Sequence, residues 1–190
     1  MPSFTALYFA GMLAEIVIRA PYDRVRKSEV MRERRFTTQE QVLLLALMLG
    51  MFVLPLVYAT TDWLAFADVA LPAWAGWLGV VLLAGALFVF WRGHRDLGRN
   101  WSPTLEVRAQ HELVTGGIYG VIRHPMYASQ WLWALAQPLL LHNWLAGAAG
   151  LVVFVPFYFL RVRAEERMML DLFGDAYRRY MREVGGVLPR

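Results

Sequence analysis

Arg123, His124 and Tyr127 surround a proline in the run RHPMY, and further along Glu165 and Glu166 follow Arg161 at helical spacing. Pro125 suits the first turn of a helix, where its missing N–H is no loss. A helix starting there aims free N–H groups and the positive end of its dipole at the preceding loop, a place for an anionic group. Just upstream, HELVTGGIYG reads as a short extended piece and a turn: Val114 and Thr115 favour strand, and Gly116-Gly117 permits positive φ or close approach of a ligand to the backbone. Arg161 and Glu165 lie at i, i+4 and can pair on one helix face. Two adjacent carboxylates need partners or water. Phe173-Gly174 reads as a helix stop, and Tyr177 and Tyr180 share a face of the short helix beyond it.

Taken singly, each residue has a plainer reading. Arg123 can anchor a span at the membrane interface, the tyrosines can belong to an interfacial aromatic belt, His124 can be a packing residue, and Arg161–Glu165 a surface ion pair worth about 0.3–0.5 kcal/mol. What makes them a set is the elements that carry them. The chain is 58% hydrophobic and only 18% charged, against roughly 45–50% and about 25% in soluble domains. Residues 42–60 and 73–91 are free of charge, each close to the ~20 residues that cross a bilayer. Residues 126–159 divide into two apolar helices turning near Leu141–Trp144. Residues 4–20 form a further span in which Glu15 and Arg19 lie at i, i+4. The expectation is an all-α polytopic integral membrane protein of about five transmembrane helices, 4–20, 42–60, 73–91, 126–141 and 144–160, with C-terminal helices over 161–184, all in a single domain over 1–190.

Every one of the 19 Lys and Arg residues falls in segments 19–35, 92–123 or 161–190, and none in the connections 61–72 and 141–144. The positive-inside rule then puts the N-terminus outside and those three segments in the cytoplasm. The excess of basic charge is a topology signal, and the arginines accompany no nucleic-acid-binding motif. The hairpin of the fourth and fifth spans brings residues 93–127 and 161–180 together on the cytoplasmic side. With no cysteine there is no thiolate nucleophile and no Cys-based metal site, and no metal-ligand set is expected.

The stretches LGRNWSPTLEVRAQHELVTGGIYGVIRHPMYAS and RVRAEERMMLDLFGDAYRRYM, with the terminal LPR, resemble the isoprenylcysteine carboxyl methyltransferase family and the related phospholipid methyltransferases. The resemblance covers about residues 97–190. It implies an integral-membrane enzyme that uses S-adenosylmethionine without a Rossmann fold, and the chain has no GxGxxG after a strand. It implies a cytoplasmic cofactor pocket formed by the 93–127 loop and the C-terminal helices, from His111, Glu112, Leu113, Val114, Tyr119, His124, Pro125, Met126, Tyr127 and Glu165. Where some members have a further cofactor-contacting glutamine, this chain has Thr104. Arg161 matches the arginine that helps hold the acceptor. A carboxylate acceptor needs alignment rather than a base, and Arg161 or Arg123 can hold it bidentately. An amine or thiol acceptor needs deprotonation, with His124 or Glu166 as candidates.

The expected function is methyl transfer to a lipophilic or lipidated acceptor at the cytoplasmic membrane face, in a chain whose length suggests a prokaryotic member. Phospholipid amine N-methylation and small-thiol S-methylation are the enzyme alternatives. A membrane scaffold or transporter subunit is the alternative without catalysis; against it, no polar residues line the span centres as a conduction path requires.

Overall fold

The computed structural model describes residues 4–28, 31–34, 37–98, 106–108 and 113–190. Helices carry nearly all of it: α1 (Phe4–Ser28), α2 (Thr38–Met48), α3 (Leu54–Thr60), α4 (Ala73–Leu97), α5 (Pro125–Leu141), α6 (Trp144–Phe173) and α7 (Asp175–Glu183). The all-α expectation holds, with one small antiparallel ribbon added: β1 (Met31–Arg34) pairs with β2 (Glu106–Arg108), Met31 opposite Arg108 and Arg34 opposite Glu106. Residues 113–115, expected to be extended, form no strand. An extended segment needs a ladder partner for its backbone groups, and β1 supplies one to β2 instead.

Among the described residues, four helical stretches are long and apolar enough to cross a membrane: Phe4–Arg24, Thr38–Thr60, Ala73–Leu97 and Trp144–Phe173. The other expected span is α5, cut to 17 residues by Pro125 at its start and by His142, which turns left-handed at φ 52°. At 1.5 Å per residue that is about 25 Å. α5 packs against α1, α4 and α6 at the centre of the bundle, while Leu13, Val17, Val81, Phe88, Val152 and Phe159 lie exposed on the outside, facing the lipid side. The break expected near 161 is absent. α6 runs unbroken for 30 residues to Gly174, whose φ of +49° stops it. That is about 45 Å of helix across a ~30 Å hydrocarbon core, so its last ~10 residues project beyond the bilayer. That stretch carries Glu165 and Glu166, with Arg161 just before it.

In lipid every backbone polar group must be satisfied internally, and the bundle centre shows how. The α2–α3 rod contains a π-turn over Leu49–Val53, in which the Leu54 N–H reaches back to the Leu49 carbonyl. The wider register takes from Gly50 its α-helical donor, and Pro55, with no N–H, takes one from Met51. Side chains from other helices fill both gaps. The Gln137 amide donates to the Gly50 carbonyl at 2.9 Å and to the Ala146 carbonyl at 2.6 Å, and the Tyr8 hydroxyl lies 2.6 Å from the Met51 carbonyl. A Cβ at Gly150 would collide with the Gln137 amide, which explains a glycine there. Gln137→Leu is therefore expected to cost about 1–3 kcal/mol, read as a lower melting temperature in detergent with and without cofactor.

Of the charges of the first span, Glu15 turns toward α5 while Arg19 stays partly exposed. Glu15 accepts a hydrogen bond from the Gln130 amide of α5 at 2.9 Å, and Arg19 pairs with Asp23 at 3.2 Å. At the opposite end of the bundle, Asn143 caps α6 through its Oδ1 and the Ala146 N–H, and donates to the Leu64 carbonyl at 2.7 Å.

Candidate active site

The site begins where α4 ends. Asp96 accepts the Ile118 N–H at 2.8 Å and pairs with Arg92 at 3.1 Å, so the end of a membrane helix holds the glycine turn in place. Gly117 has φ +61°, and its missing Cβ is where the Asp96 carboxylate sits. No other residue type meets both demands. The single-turn helix Gly117–Gly120 that follows buries Tyr119.

Pro125 then opens α5 at its first turn, as its ring favours. His124 occupies the cap position without capping, leaving its ring to face α6: Nε2 lies 2.9 Å from Glu166 Oε1, and Nδ1 lies 3.9 Å from Glu165 Oε1. One turn on, the Tyr127 hydroxyl donates to Glu165 Oε2 at 2.7 Å. Met126 and Pro125 lie against Gly93 of α4. Leu113 and Val114 are half-buried in the irregular stretch before the turn. His111 and Glu112 lie outside the described residues.

Arg123 is the hub of a brace. Its guanidinium donates to Glu166 at 2.9 Å, to the Met181 carbonyl at 3.2 Å and to the Val184 carbonyl. Its own N–H and that of His124 donate to the carbonyls of Gly185 and Gly186 at 2.8 and 3.1 Å. Arg123 is thus engaged with Glu166 and with the end of α7. The Tyr180 hydroxyl completes the brace with a 2.6 Å bond to the Tyr119 carbonyl. Burial pushes the Tyr180 phenol from 10 up to about 12. The bond is therefore fully present below pH 10 and is lost as pH rises towards 12. Tyr180→Phe is expected to cost about 1–2 kcal/mol and to weaken cofactor binding several-fold with little change in kcat, seen by calorimetry and steady-state kinetics side by side.

Arg161 departs most from expectation. Only 8% exposed, it forms an ion pair with Glu40 near the start of α2 and lies over the Phe157 ring at 5.6 Å. Glu165 instead takes the Tyr127 hydroxyl. Glu40, Asp96 and the Gly185–Gly186 carbonyls are the partners that sequence reading missed, and Tyr180 was read only as sharing a helix face with Tyr177. Glu40 was hidden in the run Thr37-Thr38-Gln39-Glu40, an ordinary helix-start signature of the T-x-x-E kind.

The result is one cluster of Tyr119, His124, Tyr127, Glu165 and Glu166, flanked by Arg123 and Arg161. Its electrostatics suit a polar, cationic ligand. Arg123 is matched by Glu166 and Arg161 by Glu40, while Glu165 is the most open charged group, its side chain 33% exposed. The buried His124 Nδ1 and Arg123 Nε have no hydrogen-bond partner among the described residues, which a polar ligand can supply. Burial, with the Glu165 charge added, raises the Tyr119 phenol well above 10, so it stays protonated.

The model of the isoprenylcysteine carboxyl methyltransferase (ICMT) family matches residues 77–171, half of the chain. The chain belongs to the isoprenylcysteine carboxyl methyltransferase family. It is 37% identical over 79 residues to a protein-S-isoprenylcysteine O-methyltransferase of Schizosaccharomyces pombe, covering 42% of this chain and 34% of that protein. It is 32% identical over 94 residues to a probable protein-S-isoprenylcysteine O-methyltransferase of Oryza sativa subsp. indica, covering 48% and 49%. The matched stretches thus span a third to a half of these relatives' own lengths. The fold is similar to that of the eukaryotic intramembrane Ras methyltransferase ICMT, with a TM-score of 0.53 at 20% identity over 97% of this chain and 62% of that one. The ICMT family match takes in Asp96, the glycine turn, RHPMY and Arg161–Glu166. It leaves Glu40, Tyr180 and the C-terminal brace outside.

Proposed function

We propose that this ICMT family member transfers a methyl group from S-adenosylmethionine to the carboxylate of a lipophilic acceptor of the prenylated-cysteine kind. The observation that carries this reading is Glu165: a carboxylate left open among buried, matched charges, anchored by Tyr127 beside the His124 ring. Tyr119, His124, Pro125, Met126, Tyr127 and Glu165, with Leu113, Val114 and the undescribed His111 and Glu112, would hold the cofactor. Bound there, S-adenosylmethionine would supply an activated methyl group on a positively charged sulfur, and these residues would hold that methyl in line with an acceptor carboxylate oxygen, a transfer that asks no proton movement of the protein.

The chain's own work is then binding and alignment. Glu165 offers the negative charge that a sulfonium needs, and Tyr127 fixes its carboxylate. Glu166, Arg123 and His124 form a closed network that holds the RHPMY wall against α6. Arg161, near the point where α6 leaves the bilayer, would hold the acceptor carboxylate. This arrangement favours a carboxylate over an amine or thiol, because the candidate bases His124 and Glu166 are engaged with each other at 2.9 Å. The similarity to protein-S-isoprenylcysteine O-methyltransferases supports the same acceptor class. The grouping of basic residues on one side supports a cytoplasmic site, with the N-terminus outside and the acceptor entering from lipid.

Two measurements on detergent-solubilised protein test the reading. Calorimetry should show S-adenosylmethionine binding, and radiolabelled methyl transfer to a prenylcysteine should give a product released by mild base, as an ester is. No cofactor affinity at all would remove the enzyme reading, and a base-stable product would move the acceptor from oxygen to nitrogen or sulfur.

A further inference from the structure

Arg161, the residue assigned to the acceptor, already carries a carboxylate from the protein itself. Glu40 is 5% exposed, and while its Oε1 pairs with the Arg161 guanidinium, its Oε2 has no hydrogen-bond partner among the described residues. Its backbone shows where else that side chain belongs. Thr37 is the N-cap of α2, its hydroxyl accepting the Glu40 N–H at 3.2 Å, and Glu40 stands at the position whose carboxylate ordinarily reaches back to the N-cap N–H in a reciprocal capping box. Only half of that box is made here. The glutamate has left its own helix start for Arg161.

We propose that Glu40 is a displaceable internal anion and a specificity residue: it occupies Arg161 in the free protein, and an acceptor carboxylate takes its place, Glu40 swinging back to cap α2. The proposal rests on Arg161 being the acceptor arginine. Three features favour exchange over a permanent lock. The pair is half-satisfied, since one oxygen of Glu40 lacks a donor. The displaced carboxylate has a ready position one turn of side chain away, at the positive end of a helix. An arginine fork matches the two oxygens of an incoming carboxylate, whereas Glu40 engages it through one. Holding an internal anion also means that a neutral acceptor, which cannot replace Glu40's charge on a buried arginine, is rejected.

The test compares two probes, S-farnesyl-N-acetylcysteine and its C-terminal amide, by direct binding to the full chain loaded with S-adenosylhomocysteine. In Glu40→Gln the competitor loses its charge, so the carboxylate probe should bind about tenfold tighter, and discrimination against the amide should narrow. Glu40→Asp, too short to reach Arg161 yet still able to cap, should tighten the carboxylate likewise. Unchanged or weaker carboxylate binding in both variants overturns the proposal, as does failure of both to fold, which would make the pair structural. If the wild-type chain binds neither probe, the acceptor reading falls and this inference with it; loss of S-adenosylhomocysteine binding in the wild type would instead strike at the cofactor reading.

Discussion

Glu165→Gln is expected to weaken S-adenosylmethionine binding by about 30- to 100-fold, roughly 2–3 kcal/mol, while S-adenosylhomocysteine binding should change by less than about threefold. The contrast is the point of the experiment. The two ligands differ by a methyl group and a positive charge on sulfur, so a carboxylate that matches the sulfonium discriminates between them. Gln keeps the size of the side chain and an oxygen to accept the Tyr127 hydroxyl, which lies 2.7 Å from Glu165. The neighbouring wall therefore stays in place, and the lost quantity is charge. At 33% exposure the side chain is partly screened by water, which is why the expected effect is a few kcal/mol rather than that of a fully buried ion pair. Paired calorimetric titrations read it directly. An equal loss for both ligands would show that Glu165 supports the wall or another part of the ligand rather than the sulfonium.

The second large effect comes from Arg161, and it separates activity from stability. Arg161→Ala leaves Glu40 as an uncompensated carboxylate at 5% exposure, and breaking a buried pair from one side costs about 3–5 kcal/mol. This variant should melt at a much lower temperature and lose methyl transfer together. Arg161→Lys keeps a positive charge opposite Glu40 but not the planar fork, so it should retain most of the stability while kcat/KM for the acceptor falls about 10²-fold, as loss of bidentate carboxylate alignment implies. The double variant Arg161→Ala, Glu40→Ala removes both charges. Much of the melting temperature should return and none of the activity. If activity recovers with stability, Arg161 is a fold residue only and the acceptor is held elsewhere.

Both variants act on residues whose importance was legible in the sequence to different depths. Glu165 and Glu166 stood out because adjacent carboxylates past an apolar span need partners, and RHPMY because a helix-starting proline beside Arg and His is a place for charge. Their partners were another matter. At i, i+4, Arg161 and Glu165 looked like a local ion pair, the cheapest pairing a helix offers. Tertiary packing overrode it by bringing α2 alongside α6 and placing Glu40, 121 residues away, against the guanidinium. Arg123 likewise offered the sequence no sign that the Gly185 and Gly186 carbonyls would take its backbone N–H and that of His124.

What the sequence by itself determined is the membrane character, the helical spans and the two segments that hold the chemistry. Those follow from run lengths of apolar residues, from the distribution of arginine and from motif spacing, which are properties of neighbours along the chain. Only the tertiary structure decided the length of α5, the unbroken run of α6 out of the bilayer, the β1–β2 ribbon and the assignment of each charge to its partner. In a medium that offers no water to an orphaned polar group, each must be satisfied by whichever helix lies beside it. Tyr8 and Gln137 closing the gaps of the π-turn, and Glu40 closing on Arg161, are decided by that adjacency and not by sequence position.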